Sequence, residues 1–197
     1  MKRKQTENLV GRLARLLRHL RHKTQDERGA AAIEMALIMP FLLMLLLGSV
    51  ELFLLGMAAR KAARVTNTVG DLVAQASGTL TKSTINSYYH AAQYILGKFP
   101  RSNMGMTIHV YGLGRRGQPQ LRWSHQLGSV ACGNGAPTLT SEQKAAMQDG
   151  NDLVLAMGCY RYPVRIGKLV FGSYTFNLKS EVVLRPRKQM TLACADC

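Results

Sequence analysis

The chain has no lysine or arginine between Ala30 and Ala59, and its four cysteines all come later. Acids are scarce, with 11 Asp and Glu against 26 Lys and Arg, for a formal net charge of +15. No G-x-S-x-G occurs, the five histidines form neither H-x-x-x-H nor H-E-x-x-H, and no pair of acids is placed for hydrolysis. The common hydrolase constellations are therefore unsupported, and nothing in the residues invites an enzyme. There is also no internal repeat and no low-complexity linker. Hydrophobic content of 47% with 19% charged residues excludes a disordered tail and a bare membrane bundle.

What is present is ordered along the chain. Nine of the Lys and Arg, from Lys2 to Arg28, precede residue 29, against three acids, Glu7, Asp26 and Glu27. Within this flank Leu9, Leu13, Leu16, Leu17 and Leu20 follow helical spacing, with Arg12, Arg15, Arg18 and Arg21 on other faces. A basic amphipathic helix of that kind suits an anionic inner leaflet. A solvated leader that is simply positive fits equally well, and both readings stay open. The apolar run that follows is long enough to cross a bilayer, since thirty helical residues rise about 45 Å against a hydrocarbon core of ~30 Å. It is too long for a secretory h-region, and no A-x-A-like site follows it at the usual distance. The positive flank predicts a cytoplasmic N-terminus. Arg60, Lys61 and Arg64 on the far side are outnumbered.

Beyond the span, Val65, Val69, Leu72, Val73 and Ala76 continue the helical period, with Gly70 as a weak point and Ser77-Gly78 as a stop. Residues 30–76 thus read as one long helix, half in lipid and half a stalk. Residues 77–197 can bury a core. They read as a helix over Thr84–Leu96, a hairpin of Met106–Leu113 with Gln120–Leu127, and a short helix capped by Thr140 or Ser141. Strand-like stretches then begin at Asp152 and Lys168. The expected fold is α+β: a long N-terminal transmembrane and stalk helix, then a small head with a mostly antiparallel sheet.

One constellation carries chemistry. "ERGAAAIEMALIMPFLLMLLLGSVEL" sets a charged flank, Gly29, four small or apolar residues and Glu34 at the head of the apolar helix, with Pro40 inside it and a second acid, Glu51, 17 residues after the first. This stretch resembles a prepilin of the type IV class, and is most similar to the TadE-like pseudopilins of tight-adherence (Flp) pilus systems. "CYRYPV" at 159–164 and "EVVLRPR" at 181–187 are more loosely similar to what such proteins carry near their C-termini. The resemblance implies a leader of residues 1–29, cut between Gly29 and Ala30 by a membrane-embedded aspartic prepilin peptidase on the cytoplasmic face. A glycine there lets the backbone enter a tight protease site. Glu34 would then stand fifth from the new amino terminus, where the α-ammonium of its own chain or of a neighbour could pair with it. A carboxylate at the centre of a membrane helix costs ~2.5–3.5 kcal/mol, so such a partner matters. On chemistry alone, Glu34 could instead sit in the headgroup zone, favoured by the helix dipole. Glu51 reads as an acid snorkelling at the outer edge of the membrane. Pro40, lacking a backbone donor, is a possible kink site.

Other signals read as structural. "GLGRRG" at 112–117 has the spacing of a dinucleotide fingerprint, but a strand-like segment follows it where a helix is needed, so it reads as a hairpin turn. Cys132, Cys159, Cys194 and Cys197 read as disulfides of an oxidising compartment and not as a zinc or redox site. Three connectivities are open, with a lean to Cys132–Cys159 and Cys194–Cys197. The seven tyrosines read as core and rim aromatics, not as a base-stacking platform.

Taken with the resemblance, the chain reads as a minor pilin or pseudopilin acting in assembly or initiation of an adhesive pilus. It would be single-pass in a bacterial inner membrane, with residues 1–29 cytoplasmic and 77–197 periplasmic, and open to incorporation in the surface fibre. Implied partners are the prepilin peptidase, other pilins through the N-terminal helix, and the Tad inner-membrane assembly machinery. No cofactor, metal or nucleic acid is implied. Major pilins of this type are much shorter, which points away from a bulk fibre subunit. The competing reading is an uncleaved, signal-anchored envelope protein with an extracytoplasmic binding or sensor domain.

Overall fold

The structure, a computed structural model, describes residues 27–197 except 116, 134, 148, 149, 167 and 169–171. The amphipathic leader pattern of Leu9–Leu20 lies outside these. The first element, α1 (Glu27–Ala74), is one helix of 48 residues with Pro40 inside it. Two compact units divide between Gly48 and Ser49.

In the first unit every residue from Ala31 to Gly48 is exposed. These are the apolar side chains of the span, including Ile33, Phe41 and Leu45. By length and composition the helix qualifies to cross a membrane, with a mean hydropathy of 2.3 over its most apolar stretch. An apolar helix with no polar face and no protein cover needs lipid or other helices around it.

In the second unit α1 is core. Ala58, Ala62, Val65, Val69, Val73 and Ala74 are all at most 3% exposed. This buried face contains a ridge of small residues, Ala58, Ala62, Thr66, Gly70 and Ala74, one turn apart. It lets a sheet come close. A methyl on Gly70 would sit 3.0 Å from Leu184 Cδ1 and 3.2 Å from Ala156 Cβ, and one on Gly158 would collide with Thr66 Oγ1. Gly70 is therefore a packing contact and not the weak point its helix propensity suggests. The helix residues that the sequence reading assigns to a stalk are packed into the head.

After α1 come α2 (Lys82–Ala92), which runs into a 3-10 turn (Gln93–Leu96), a second 3-10 turn (Arg101–Asn103), and β1 (Met104–Leu113). Then follow β2 (Pro119–Gly128), α3 (Ser141–Ala145), β3 (Leu153–Pro163) and β4 (Thr175–Leu184). The four strands form one antiparallel sheet in the order β2-β1-β3-β4. The expected α+β head with an antiparallel sheet is what the chain forms.

Thr81 caps α2, its side chain accepting from Thr84 N, and Gly97 at φ 61° ends the turn that follows. α3 carries a full capping box between Thr140 and Gln143. One sheet face, with Met106, Ile108, Val110, Ala156 and Tyr160, packs with α1 and with Ile85 and Tyr89 of α2 in the main core. The opposite face, with Tyr111, Leu153 and Leu155, is covered by Leu139 and Met147 from the β2–β3 connection. Between β1 and β2, Gly114 N donates to Gln118 O at 2.9 Å and Gly117 N to Gly114 O at 3.0 Å. The described residues of "GLGRRG" thus form the end of β1 and a turn, and a strand follows. A register shift between Val110 and Tyr111 leaves Arg122 as the extra residue of a bulge. Its Nε lies 2.9 Å from Asp152 Oδ1, an otherwise buried carboxylate.

Candidate functional site

The candidate processing residues lie at the beginning of α1. Gly29 is exposed, and nothing lies within 4 Å of where its Cβ would stand. Ala30 follows it in the same helix. Glu34 is exposed one turn on, as are all its neighbours to Gly48. The backbone is helical through Gly29 and Ala30, because small residues tolerate the helix and the apolar run propagates it. Pro40 is accommodated within the same element. Glu34 and Glu51 are 17 residues apart in sequence.

Glu51 belongs to the second unit and is not a free snorkelling acid. Its Oε1 accepts the Tyr162 hydroxyl at 2.8 Å and the Arg165 amide at 3.1 Å, and its Oε2 accepts the Ile166 amide at 2.7 Å. Two successive backbone donors and a phenol engage both oxygens of the carboxylate. The end of β3 is thereby tied to the start of the head's helix. Burial and then the Glu51 carboxylate push the Tyr162 phenol up to about 12. Sequence reasoning missed Tyr162, Arg165 and Ile166 as partners. Two of the three bonds come from backbone amides, which leave no residue-type signal. The one available hint was the "CYRYPV" motif that holds Tyr162.

Cys132 is bonded to Cys159, with Cα atoms 5.2 Å apart, and Cys194 to Cys197, at 5.6 Å. The first ties the β2–β3 connection to β3. The second closes a short loop that also bonds α2, through Asp196 Oδ1 and the Lys82 amide at 2.7 Å. Cys194, Asp196 and Cys197 stand close enough for a metal site, but the two sulfurs are bonded to each other and offer no thiolate.

The clefts of the head are shallow. The one beside Cys132–Cys159, about 220 Å³, is lined by Arg161, Asn177 and Lys179 with no acid or histidine. His109 is buried among sheet side chains, and burial lowers its pKa. Among the described residues no nucleophile is set against a base in a cleft.

No curated protein matches the chain, and no solved structure matches it. A family model does, over the segment that holds Gly29, Ala30, Glu34, Pro40 and Glu51 and that continues through Thr66 to Gly70. Residues 29–70 match the family described as TadE-like protein, and in this segment the chain is similar to that family.

Proposed function

We propose that the protein is a membrane-anchored minor pilin or pseudopilin of a Tad pilus, processed after Gly29 by a prepilin peptidase. A TadE-like domain on a helix apolar enough to span a bilayer points to a pilus-associated membrane protein. The observation that carries the finer reading is the order of Gly29, Ala30 and Glu34 at the exposed beginning of that helix. Cleavage would remove the basic leader and leave a free α-ammonium at Ala30. Glu34, one turn further on, would then have a cationic partner in its own or a neighbouring chain. The exposed face from Ile33 to Leu47 would pack against other pilin helices, first in the inner membrane and then in the assembly. The head would remain in the periplasm, where its two disulfides persist.

The test is the amino terminus of the membrane-extracted protein, read by mass spectrometry from cells with and without active prepilin peptidase. A peptidase-dependent start at Ala30 is expected. An intact Met1 in the presence of active peptidase sinks the reading, and leaves an uncleaved anchor carrying an extracytoplasmic binding domain.

A further inference from the structure

The fold gathers positive charge at one end of the head, the end where its part of α1 begins. Contacts of Glu51, Lys61, Phe99 and Asn103 define that end. Glu51 holds Tyr162, Arg165 and Ile166. Lys61 Nζ donates to Leu96 O at 3.1 Å and stands 5.4 Å from the Phe99 ring. Phe99 meets Tyr160 edge-on at 6.4 Å. Asn103 Nδ2 donates to Arg161 O at 2.9 Å. β4 starts here as well, with Thr175 opposite Pro163.

The described segments meeting at this end, 51–64, 94–105, 157–166 and 172–180, contain one acid, Glu51. Its carboxylate is already occupied by three donors. Arg60, Lys98, Arg101, Arg161, Arg165 and Lys168 are all exposed. Asp71 and Asp152 stand at the opposite end of the sheet, each beside an arginine: Arg187 at 2.9 Å and Arg122 at 2.9 Å. Aromatic rings stand among the cations. Arg101 lies 3.9 Å over Tyr94, which is 69% exposed, and Tyr174 is 64% exposed. Next to Glu51 on α1, Leu52 and Phe53 are exposed as well.

We propose that this end of the head rests on anionic phospholipid headgroups, its cations on the phosphates and Tyr94 and Tyr174 at the interface. The proposal rests on the membrane reading of α1. An acidic protein would also answer the charge, but the exposed apolar Leu52 and Phe53 directly follow Glu51, whose carboxylate holds the Arg165 amide. Apolar depth beneath a layer of phosphate is the arrangement of a bilayer surface, and Tyr is enriched at that level. A basic side chain near an anionic surface is worth about fivefold in binding. The Glu51 bonds act as a clamp that keeps Arg165 at this end.

The test uses the full chain in nanodiscs of phosphatidylcholine with and without phosphatidylglycerol, read by amide hydrogen exchange over 159–166 and 172–180, with 107–113 as reference. Phosphatidylglycerol should slow exchange in the two test segments by about fivefold or more and leave the reference unchanged. High salt should reverse the slowing in the unmodified protein. The variant R161Q/R165Q/K168Q, with disulfides and near-UV circular dichroism intact, should lose it. Equal exchange in both lipid compositions, with the chain incorporated, overturns the headgroup proposal and leaves the anchor reading standing. Slowing by soluble polyglutamate but not by phosphatidylglycerol overturns it in favour of an acidic protein partner. Failure to incorporate in either nanodisc sinks the anchor reading, and the proposal with it.

Discussion

Tyr162 donates its hydroxyl to Glu51 at 2.8 Å across 111 residues of sequence. The bond joins the last turn of sheet to the first turn of the head's helix, and the Arg165 and Ile166 amides complete the same carboxylate. Tyr162→Phe removes one donor to a charged acceptor and should destabilise the head by ~1.5–3 kcal/mol. Glu51→Ala strands three donors and should cost more. Thermal unfolding of the detergent-extracted protein measures both, and equal midpoints for Tyr162→Phe and the unmodified chain would show the bond to be idle.

The same pair sets an alkaline limit. Burial, then Glu51, raises the Tyr162 phenol from 10.0 to about 12, so the folded head holds this proton more tightly than the unfolded chain. The contribution is full below the unfolded value and is lost as pH rises through the folded one. Stability should therefore decline between about pH 10 and pH 12, and Tyr162→Phe should flatten part of that decline. Tyr89, Tyr111 and Tyr160, also raised chiefly by burial, should retain the rest. Unfolding midpoints across this range, with tyrosinate absorbance, provide the measurement.

Gly158 faces Thr66 across the helix–sheet contact, with no room for a methyl. Thr66 Oγ1 also bonds Ser180 Oγ at 2.8 Å, which fixes its position. Gly158→Ala should cost ~1–3 kcal/mol by overpacking. Combining it with Thr66→Ala should recover part of that loss, giving a non-additive cycle in denaturant unfolding. Strict additivity would argue that the two residues do not share the space.

The two disulfides should differ in worth. Cys132–Cys159 closes a loop with a separation of 27 residues and Cys194–Cys197 one of 3. Chain entropy assigns ~3.5 kcal/mol to a loop of the first size and less to a very short one. Replacing Cys132 and Cys159 by Ser should lower the melting temperature more than replacing Cys194 and Cys197. The reverse order would place the larger constraint at the C-terminus.

Glu34 is exposed on α1, far in sequence from the packed face that starts at Ala58. Under the pilin reading, Glu34→Ala should leave membrane extraction and the head's melting unchanged while most surface pili are lost. Pilus counts by electron microscopy, beside blots of the membrane fraction, decide it. Wild-type piliation would remove Glu34 from assembly.

The sequence by itself determined the local elements. An uninterrupted apolar run with its basic flank specifies a long helix, because helical bonds are made within the segment and need no distant partner. The order of Gly29 and Glu34 is likewise a local pattern, and it lies within residues 29–70, which the family model matches. Thr140 with Gln143 specifies the start of α3 through a box closed within four residues. Strand-like stretches at Met106–Leu113, at Gln120–Leu127 and from Asp152 marked β1, β2 and β3.

Only the tertiary structure decided what covers each face. Helical spacing showed that Val65, Val69 and Val73 share a side; it could not show that the sheet buries them, or that Gly70 is needed for the approach. β-type composition runs from Lys168 onward, yet β4 begins at Thr175, opposite Pro163. The cysteine pairing and the bonds of Glu51 depend on segments 27 and 111 or more residues apart. Such closures are set by the packing of the whole head, and composition or period along the chain carries no record of them.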